Sequence, residues 1–551
     1  MTGSPASDGE DYGGRDFAFF WGAVLLLLPS IWSPCSITGQ DEYWLSFRTV
    51  LEMQERGEWL TPYVNGEVRL QKPPLLYWLM RVSYLTFGSN LFAARIWTVL
   101  FGAGMALFTA KLARRYRRDG AGTGYLAGVF VLGAAGVMID ARRAMFDLPV
   151  GCLCTAAIYY SVTWFGSGRL RHALGAALAL AAASMTKGPV ALWFFAAALL
   201  AAACVRRGRP AGPLWHWLVA TAAFGALALP WPLWVQAAHP EFWQVMQTQA
   251  EHREFGLPEP KRIPALLGAV LGLVVPWSLA VVGGAWATLR GRLRRGSPAR
   301  WLLCWIVIGL LPFAFMKAFE RYMLALVCPM AILAALWLST CSDRLLRLHT
   351  TVATCLVGIP VLVFSLFAAW FQLAYLFPLA ALGLLVLTWR VARRQRPDVP
   401  LTAAMCAILL SVLLGFVYPS LGINRLPDDL PDDLDTTAVV TFGRPQPGML
   451  SMRLGRSVPQ MAGDDAGLGP RLAAFDGYVF ALDADAARIE AAATAHGVAI
   501  ERVTGFRSFY SRKAWLKFFR QGLERGDWLD ALAARSADGL KPGFVCFRVG
   551  R

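Results

Sequence analysis

Apolar stretches, most of them long enough to cross a bilayer as a helix, follow one another along the first 420 residues of this chain. A helix needs about twenty apolar residues to span the roughly 30 Å of hydrocarbon. Only 16% of the residues are charged, whereas a soluble domain has roughly 25%. The sequence therefore predicts a polytopic α-helical membrane protein with about thirteen transmembrane helices. The thirteen stretches lie near residues 17–33, 91–113, 122–140, 147–165, 171–185, 188–204, 214–235, 264–289, 300–316, 322–340, 350–370, 373–389 and 401–419.

Basic runs occupy every second gap between these stretches if the N-terminus is placed in the cytoplasm. Because Lys and Arg are enriched in cytoplasmic loops, the alternation predicts residues 1–16 as a cytoplasmic tail and residues 34–88 as a long outer loop. Within that loop the segment 73–88 is short and contains Arg81, so we expect it to lie along the membrane interface. The loops also explain the net charge of +17, and we expect no nucleic-acid partner. The basic runs are 114–118, 169–172, 206–209, 290–295, 343–349 and 390–396.

The chain changes character beyond residue 420. A polar, Pro-rich linker (427–435) is followed by short apolar runs, TAVVTF, GYVFAL and GFVCFRV, and by a helical pattern at 483–497. This alternation predicts a small α/β domain over residues 421–551 on the outer side, after a transmembrane domain over 17–420. The basic, aromatic segment 506–521 has two interpretations, a segment that lies on anionic headgroups or an amphipathic helix packed on this sheet.

The first outer loop begins with two carboxylates, Asp41 and Glu42. Apolar side chains then recur at helical spacing from Trp44 to Met53, which predicts an amphipathic helix on the membrane surface. A carboxylate just above the hydrocarbon, with cations later in the same loop, suits a lipid-linked phosphate substrate. Taken alone, these charges are equally compatible with a solvated loop. The polar residues that follow in the loop are Arg69, Gln71 and Lys72.

The second outer loop carries Arg142 and Arg143, although positive charge is disfavoured on that side. Asp147 follows where the next stretch begins. Arginines placed against the topology bias indicate anion binding. Further candidates of this kind lie at later outer turns, namely Lys187, Arg321 and Tyr322.

The loop 236–261 offers Glu251 and His252 as further candidates for substrate binding. A His beside a Glu can also hold a metal ion, but the spacing fits no established zinc pattern. We therefore assign no metal ligand, keep a divalent cation as an alternative, and expect no other cofactor.

Several of these motifs occur together in one known group of proteins. They are the acidic pair at 41–42, the loop G-E-W-L-T-P-Y-x-N-G-x-x-x-x-x-K-P-P at 57–74, Asp147, T-K-G at 186–188 and R-Y at 321–322. With these motifs the chain resembles the GT-C glycosyltransferases. Within them it is similar to the bacterial lipid A aminoarabinose transferases and to the protein O-mannosyltransferases. The resemblance extends over the whole chain.

The resemblance implies an enzyme of the bacterial inner membrane whose active site and C-terminal domain face the periplasm. Such enzymes move a sugar from a polyprenyl (undecaprenyl) phosphate carrier to lipid A phosphate or to another periplasmic acceptor, a protein or a glycan. It implies that Asp41 is the principal catalytic carboxylate and Asp147 the second acid, and that Lys72, Lys187, Arg142 and Tyr322 bind phosphate. We add Glu42 to the catalytic candidates, and Arg69, Gln71, Arg143 and Arg321 to the binding candidates. Relatives often have E-K-P where this chain has Gln71 before Lys72, which leaves the contact to the amino group of the sugar in question.

Two other functional classes are compatible with a polytopic chain. A lipid-linked sugar transporter or flippase would place polar residues near the bilayer midplane and often shows internal repeats. Here the ionisable residues collect at the predicted outer boundary, and no two-fold repeat of the spans is visible. A scaffold or sensor would explain the C-terminal domain but not the misplaced arginines. The sequence therefore favours a glycosyltransferase in contact with membrane lipids.

Overall fold

The structure is a computed structural model of the chain. The predicted cytoplasmic tail lies outside the described residues up to position 12, and so does the whole basic run 206–209. Parts of the runs 114–118 and 290–295 are also outside. The described residues are 13–37, 40–116, 121–205, 211–257, 260–293, 298–443, 450–461, 465–511 and 516–550.

The part of the chain that precedes the C-terminal domain is almost entirely helical. Its short β-hairpin consists of β1 (Tyr63–Val64) and β2 (Glu67–Val68). Two π-helical turns (Tyr43–Phe47 and Leu413–Val417) and a 3-10 helix (Glu320–Leu326) join or extend α-helices. The α-helices are α1 (Gly13–Leu27), α2 (Gln40–Glu42), α3 (Arg48–Glu55), α4 (Leu75–Phe87), α5 (Leu91–Arg114), α6 (Ala121–Leu132), α7 (Ala135–Asp140), α8 (Asp147–Ser167), α9 (Leu170–Lys187), α10 (Val190–Val205), α11 (Trp215–Ala228), α12 (Pro230–Ala238), α13 (Phe242–Glu251), α14 (Arg262–Leu273), α15 (Ser278–Leu289), α16 (Ala299–Ala314), α17 (Val327–Leu338), α18 (Asp343–Trp370), α19 (Leu376–Ala392) and α20 (Val399–Val412).

Each of the thirteen predicted stretches contains helix. Within the described residues, six helices are long and apolar enough to cross a membrane, and a bent pair makes up to seven. Several helices are apolar on all sides, as is typical of membrane spans. The chain is therefore a multi-pass membrane protein, while the count of thirteen stays a prediction. The six long helices are Leu91–Arg114, Asp147–Ser167, Trp215–Ala238, Glu320–Leu338, Asp343–Trp370 and Val399–Leu421, and the shorter apolar ones are Gly122–Leu132, Val190–Val205, Ala299–Ala314 and Leu376–Ala392.

The predicted single span 264–289 is wrong as a continuous helix. Helices α14 and α15 meet at an angle of 116° across the residues between them. That break contains Pro276, which has no N–H for a helical hydrogen bond. Helix α15 packs beside α17, where Gly283 lies so close to the ring of Trp337 that a Cβ would collide with it. Small residues allow such close approach, which holds helices together in lipid.

The predicted amphipathic helix after Asp41 is confirmed as a helix, but its expected exposure on the membrane surface is wrong. Helix α2, the π-turn and α3 form one continuous helical segment from Gln40 to Glu55. All residues from Ser46 to Met53 are buried. Their apolar side chains share one cluster with α4, with α5 and with Met452 of the C-terminal domain. The segment is therefore enclosed between the bundle and that domain.

The predicted α/β fold of the C-terminal domain is confirmed. Its five-stranded sheet has the order β4-β3-β5-β7-β6, in which β3 runs parallel to β4 and β5 while the other pairs are antiparallel. Three strands correspond to the three predicted apolar runs, and α23 to the predicted helix. The elements are β3 (Val439–Phe442), α21 (Leu450–Leu454), β4 (Gln460–Met461), α22 (Asp465–Ala473), β5 (Gly477–Leu482), α23 (Ala486–Ala495), β6 (Ala499–Arg507), α24 (Arg525–Ala534) and β7 (Gly543–Gly550).

The segment 506–521 is not helical in its described part, so its interpretation as an amphipathic helix is wrong, while contact with anionic headgroups stays a prediction. Its first residues complete β6, and its aromatic rings form a cluster with a ring near the end of α18 and with the ring that follows the π-helical turn Leu413–Val417. The ring of Phe367 lies 6.2 Å from Phe509 and 6.0 Å from Phe519, and Tyr418 lies 6.3 Å from Phe518, between centroids. The cluster joins the C-terminal domain to the helical bundle.

Candidate active site

Glu42 lies next to Asp41 in α2 but points into the protein interior. It accepts hydrogen bonds from the guanidinium group of Arg95 at 2.8 and 3.0 Å, and from the backbone N–H of Ala144 at 2.7 Å. Both charged side chains are 0% exposed. Because a fully buried, paired carboxylate cannot reach a substrate without breaking its ion pair, the structure gives Glu42 a structural contact, and its catalytic role stays a prediction. It fixes α2 against α5 and against the loop after α7.

The carboxylate of Asp41 lies between arginines from two other loops. Its Oδ1 accepts a hydrogen bond from Arg143 at 2.5 Å, and its Oδ2 accepts one from Arg321. Burial opposes ionisation, but the two guanidinium groups hold the pKa of Asp41 below its ordinary value. The side chain remains 23% exposed. Asp41 is therefore an ionised carboxylate with one accessible side.

Arg321 connects Asp41 to the second predicted acid, Asp147. The guanidinium Nε of Arg321 lies 3.4 Å from Oδ2 of Asp147, and the ammonium of Lys187 binds Oδ1. Asp147 is the first residue of α8, where the helix dipole favours negative charge. Lys187 is the last residue of α9. Two predicted acids from separate loops thus share one arginine.

A third carboxylate, that of Asp140 at the end of α7, adjoins the same group. Its Oδ1 lies 3.6 Å from Arg143. The residue is 3% exposed, and its Oδ2 has no hydrogen-bond partner within the described part of the chain. Sequence reasoning missed Asp140 because it lies inside a predicted apolar span, where it resembles any polar residue at a helix end.

An Asn-Gly turn brings Lys72 to the cluster. Asn65 and Gly66 both have positive φ, as a tight two-residue hairpin turn between β1 and β2 requires. The carboxylate of Glu52 in α3 accepts hydrogen bonds from both backbone N–H groups, at 2.7 and 2.8 Å. The hairpin is thus held on the helical segment that carries Asp41, and the chain returns from it to Lys72.

Lys72 faces other cations. Burial, together with the charges of Lys187 and Arg253, lowers the pKa of Lys72 to about 7, and Arg69 contributes in the same direction. The ring of Tyr322 lies among these cations, with the Lys187 ammonium 3.8 Å and the Arg253 guanidinium carbon 5.0 Å from its centroid. Cations that depress one another's protonation are stabilised when an anion binds between them. The arrangement is a pocket suited to a phosphate group.

Arg142 points away from this pocket, so the structure does not bring it together with the other candidate residues, and its phosphate contact stays a prediction. Its side chain is 0% exposed and donates to the carbonyl oxygens of Met138 at 2.9 Å and Leu26 at 3.4 Å. It also donates to the hydroxyl of Ser411 at 3.1 Å. Arg142 therefore ties the loop after α7 to α1 and α20.

Glu251 and His252 also lie apart from the pocket, so their predicted contact to the substrate stays a prediction. Both are exposed, and their side-chain hydrogen bonds stay within one helical turn, Glu251 with Gln247 and His252 with the Thr248 carbonyl. The next residue, Arg253, enters the pocket instead. The sequence offered a row of polar residues here without indicating which one faces inward.

Gln71 is half-buried next to Lys72, and the structure gives no contact that assigns it a role. Within the described residues there is no group of three or more His, Cys, Asp or Glu side chains that could hold a metal ion. The carboxylates of the site bind arginine and lysine instead. The structure brings together Asp41, Lys72, Arg69, Arg143, Asp147, Lys187, Arg321 and Tyr322, and adds Asp140 and Arg253.

Known proteins resemble this chain in the sequence that contains most of the candidate site and in the whole fold. The family model of dolichyl-phosphate-mannose-protein mannosyltransferases matches residues 41–246. The undecaprenyl phosphate-α-4-amino-4-deoxy-L-arabinose arabinosyl transferase 1 of Sodalis glossinidius is 29% identical over 67% of this chain and 70% of its own length. The corresponding transferase 1 of Pseudomonas fluorescens is 27% identical over 68% and 69%.

The crystal structure of ArnT from Cupriavidus metallidurans superimposes over 97% of this chain and 98% of its own, with a TM-score of 0.69 and 16% sequence identity. Its complex with undecaprenyl phosphate superimposes equally well. The structural similarity shows the fold. The sequence similarity shows which transferases the chain is related to. The chain therefore has the fold of the GT-C membrane glycosyltransferases and is similar in sequence to their aminoarabinosyl transferases.

Proposed function

We propose that this chain is a glycosyltransferase that moves a sugar from a polyprenyl phosphate carrier to an acceptor at the membrane surface. The observation that carries the proposal is the cationic pocket around Tyr322, next to the ionised carboxylate of Asp41. Lys72, Lys187 and Arg253 can neutralise a phosphate that leaves the sugar. Asp41 lies at the accessible side of the same cluster, where the reacting sugar would be bound.

The donor we propose is undecaprenyl phosphate carrying 4-amino-4-deoxy-L-arabinose. Support comes from the arabinosyl transferases of Sodalis glossinidius and Pseudomonas fluorescens, whose names specify this compound. It also comes from the solved relative bound to undecaprenyl phosphate. The amide of Gln71, where relatives often have a carboxylate, would form a weaker contact to a sugar ammonium group than a Glu would.

The proposed reaction is a displacement at the anomeric carbon. The bond between this carbon and the phosphate oxygen of the carrier breaks, while an oxygen of the acceptor forms the new bond. The carrier phosphate leaves with the electron pair, and Lys72, Lys187 and Arg253 stabilise the additional negative charge. Asp41 stabilises the positive charge that develops on the sugar ring.

The acceptor we propose is an anionic one, in first place a phosphate of lipid A. A carboxylate whose pKa lies below its ordinary value is a weak general base, which disfavours an acceptor that must lose a proton. A phosphate acceptor is already ionised and needs only orientation. A hydroxyl of a protein or of another glycan is the alternative acceptor, and it would need Asp41 to accept a proton.

The location we propose is the bacterial inner membrane, with the pocket and the C-terminal domain on the periplasmic side. Support comes from the alternation of the loops in the sequence, which assigns the basic runs and Asp41 to opposite sides of the membrane. In this orientation the pocket would meet donor and acceptor at the outer leaflet.

The test is mass spectrometry of lipid A from a bacterium that lacks the gene, complemented with the wild-type chain or with Asp41→Ala. We expect the aminopentose adduct to disappear in the deletion, to return with the wild type, and to remain absent with Asp41→Ala at equal membrane expression. An unchanged adduct in the deletion would contradict lipid A as the acceptor. Full activity of a correctly inserted Asp41→Ala variant would contradict the site, and accumulation of the lipid-linked sugar on the cytoplasmic side would favour a flippase.

A further inference from the structure

We propose that the C-terminal domain positions the catalytic carboxylate through one buried hydrogen bond, between Tyr43 and Ser451. The inference rests on the proposed function, because it assigns to that domain a part in the reaction at Asp41. Tyr43 and Ser451 are positioning residues in this proposal, since neither one contacts the pocket.

The hydrogen bond joins two parts of the chain that are distant in sequence. The hydroxyl oxygens of Tyr43 and Ser451 lie 2.8 Å apart. Tyr43 is 1% and Ser451 0% exposed, so water cannot replace either partner. Burial raises the pKa of Tyr43 to about 12, so its hydroxyl keeps its proton at neutral pH. Removal of either hydroxyl would leave the other with one buried hydrogen bond fewer.

Both ends of this contact are fixed. Ser451 belongs to α21 and also accepts a hydrogen bond from the backbone N–H of Val458 at 3.2 Å, which secures it within the domain. Tyr43 opens the π-helical turn directly after α2, and its carbonyl accepts the N–H of Arg48. Such π-turns are frequent at functional sites. A shift of the Tyr43 ring is therefore transmitted through rigid helical backbone to Asp41, two residues earlier.

Further contacts of the domain reach the same helical segment and α4. The carboxylate of Glu55, at the far end of α3, accepts hydrogen bonds from the backbone and the hydroxyl of Ser457 at 2.5 and 2.6 Å. The Tyr84 hydroxyl on α4 meets the sulfur of Met452 at 4.0 Å. These contacts hold the domain in place without Tyr43, so removal of one hydroxyl leaves it docked.

The experiment is steady-state kinetics of the purified full-length protein with the lipid-linked sugar donor and lipid A. Tyr43→Phe and Ser451→Ala each remove one hydroxyl from the pair, and we expect kcat to fall about fivefold, in line with the loss of one buried hydrogen bond. KM for the donor should not change, because the phosphate pocket is untouched. The double variant should lose no more than either single variant, and Ser451→Thr, which keeps a hydroxyl, should restore kcat.

Tyr84→Phe is the matched control, because it removes a buried hydroxyl that meets the same domain from another helix. We expect its kcat to equal that of the wild type. Wild-type kcat in Tyr43→Phe and Ser451→Ala would overturn the inference, and so would an equal loss in the control or a rise in KM without loss of kcat. A wild-type protein that transfers no sugar would instead contradict the proposed function itself.

Discussion

Asp41 and Glu42 are adjacent in the chain, yet their carboxylates have opposite surroundings. Asp41 faces a partly open cluster in which Arg143 and Arg321 bind it. Glu42 is enclosed with Arg95 and is not exposed at all. The short helix α2 turns one acid toward the pocket and the other toward α5, so a single change at either position should affect a different property of the protein.

Glu42→Ala should destabilise the fold, because it leaves the buried guanidinium of Arg95 without a carboxylate to balance its charge. Removal of one member of a buried ion pair costs about 3–5 kcal/mol. Asp41→Asn should keep the thermal stability of the wild type and lose transfer. Thermal unfolding in detergent, measured on both variants beside a transfer assay, checks this division. An equally destabilised Asp41→Asn protein would contradict it.

Binding of the anionic donor should weaken as the pH rises above about 7. The pKa of Lys72 is lowered to about 7 in the free protein, and a bound phosphate would raise it toward its ordinary value. Above pH 7 the lysine must therefore take up a proton on binding, and affinity for undecaprenyl phosphate should fall by up to about tenfold per pH unit. Calorimetry in buffers of different ionisation enthalpy measures this proton uptake directly.

Lys72→Arg provides the control for this pH dependence. An arginine keeps its charge throughout the range, so its affinity for undecaprenyl phosphate should stay nearly constant from about pH 7 to 9. Lys72→Met should bind weakly at every pH. A wild-type protein without proton uptake near pH 8 would show that Lys72 does not contact the phosphate.

Arg253→Ala should reduce donor affinity, whereas His252→Ala should not. Arg253 faces Lys72 and stacks on Tyr322, while His252 is exposed on the neighbouring helix end. We expect KM for the donor to rise by about tenfold or more in Arg253→Ala, as for the loss of one charge-assisted contact. A larger rise in KM for His252→Ala than for Arg253→Ala would contradict the position that the structure gives to this loop.

Arg143→Met and Arg142→Met separate a site residue from a structural one in the same loop. Arg143 binds Asp41, so its loss should lower kcat by about a hundredfold, as for the removal of one preorganised electrostatic contact. Arg142 binds carbonyl oxygens of α1 and α7, so its loss should lower the unfolding temperature and leave donor affinity intact. Equal kinetics for the two variants would contradict the assignment.

Much of the fold could be predicted from the sequence, because in lipid the hydrophobic pattern alone separates helices from loops. The break between α14 and α15 could not, since a Pro inside an apolar run is compatible with a straight, a kinked or a bent helix. The amphipathic pattern after Asp41 correctly predicted a helix. It wrongly predicted that this helix lies on the membrane surface. A half-apolar helix packs equally well on lipid or on a second domain.

Most residues of the candidate site could be predicted from the sequence, but the directions of their side chains could not. Charge placed against the topology bias indicated the outer loops, and it selected Arg143, Lys187 and Arg321 correctly as residues that meet in space. The charge pattern could not distinguish Arg142 from Arg143, because the two residues are adjacent in one loop and differ only in the direction of their side chains. Arg253 was missed for the same reason.

The docking of the C-terminal domain limits which parts of the chain can be exchanged for those of a relative. Its aromatic cluster lies on Phe367 and Tyr418, and its Met452 completes the apolar surroundings of the helix that bears Asp41. A chimera that joined the bundle of one relative to the domain of another would expose mismatched apolar surface at both contacts. The bundle and the domain are therefore matched to each other at both contacts, so a functional exchange of the domain would also require changes at Phe367, Tyr418 and Met452.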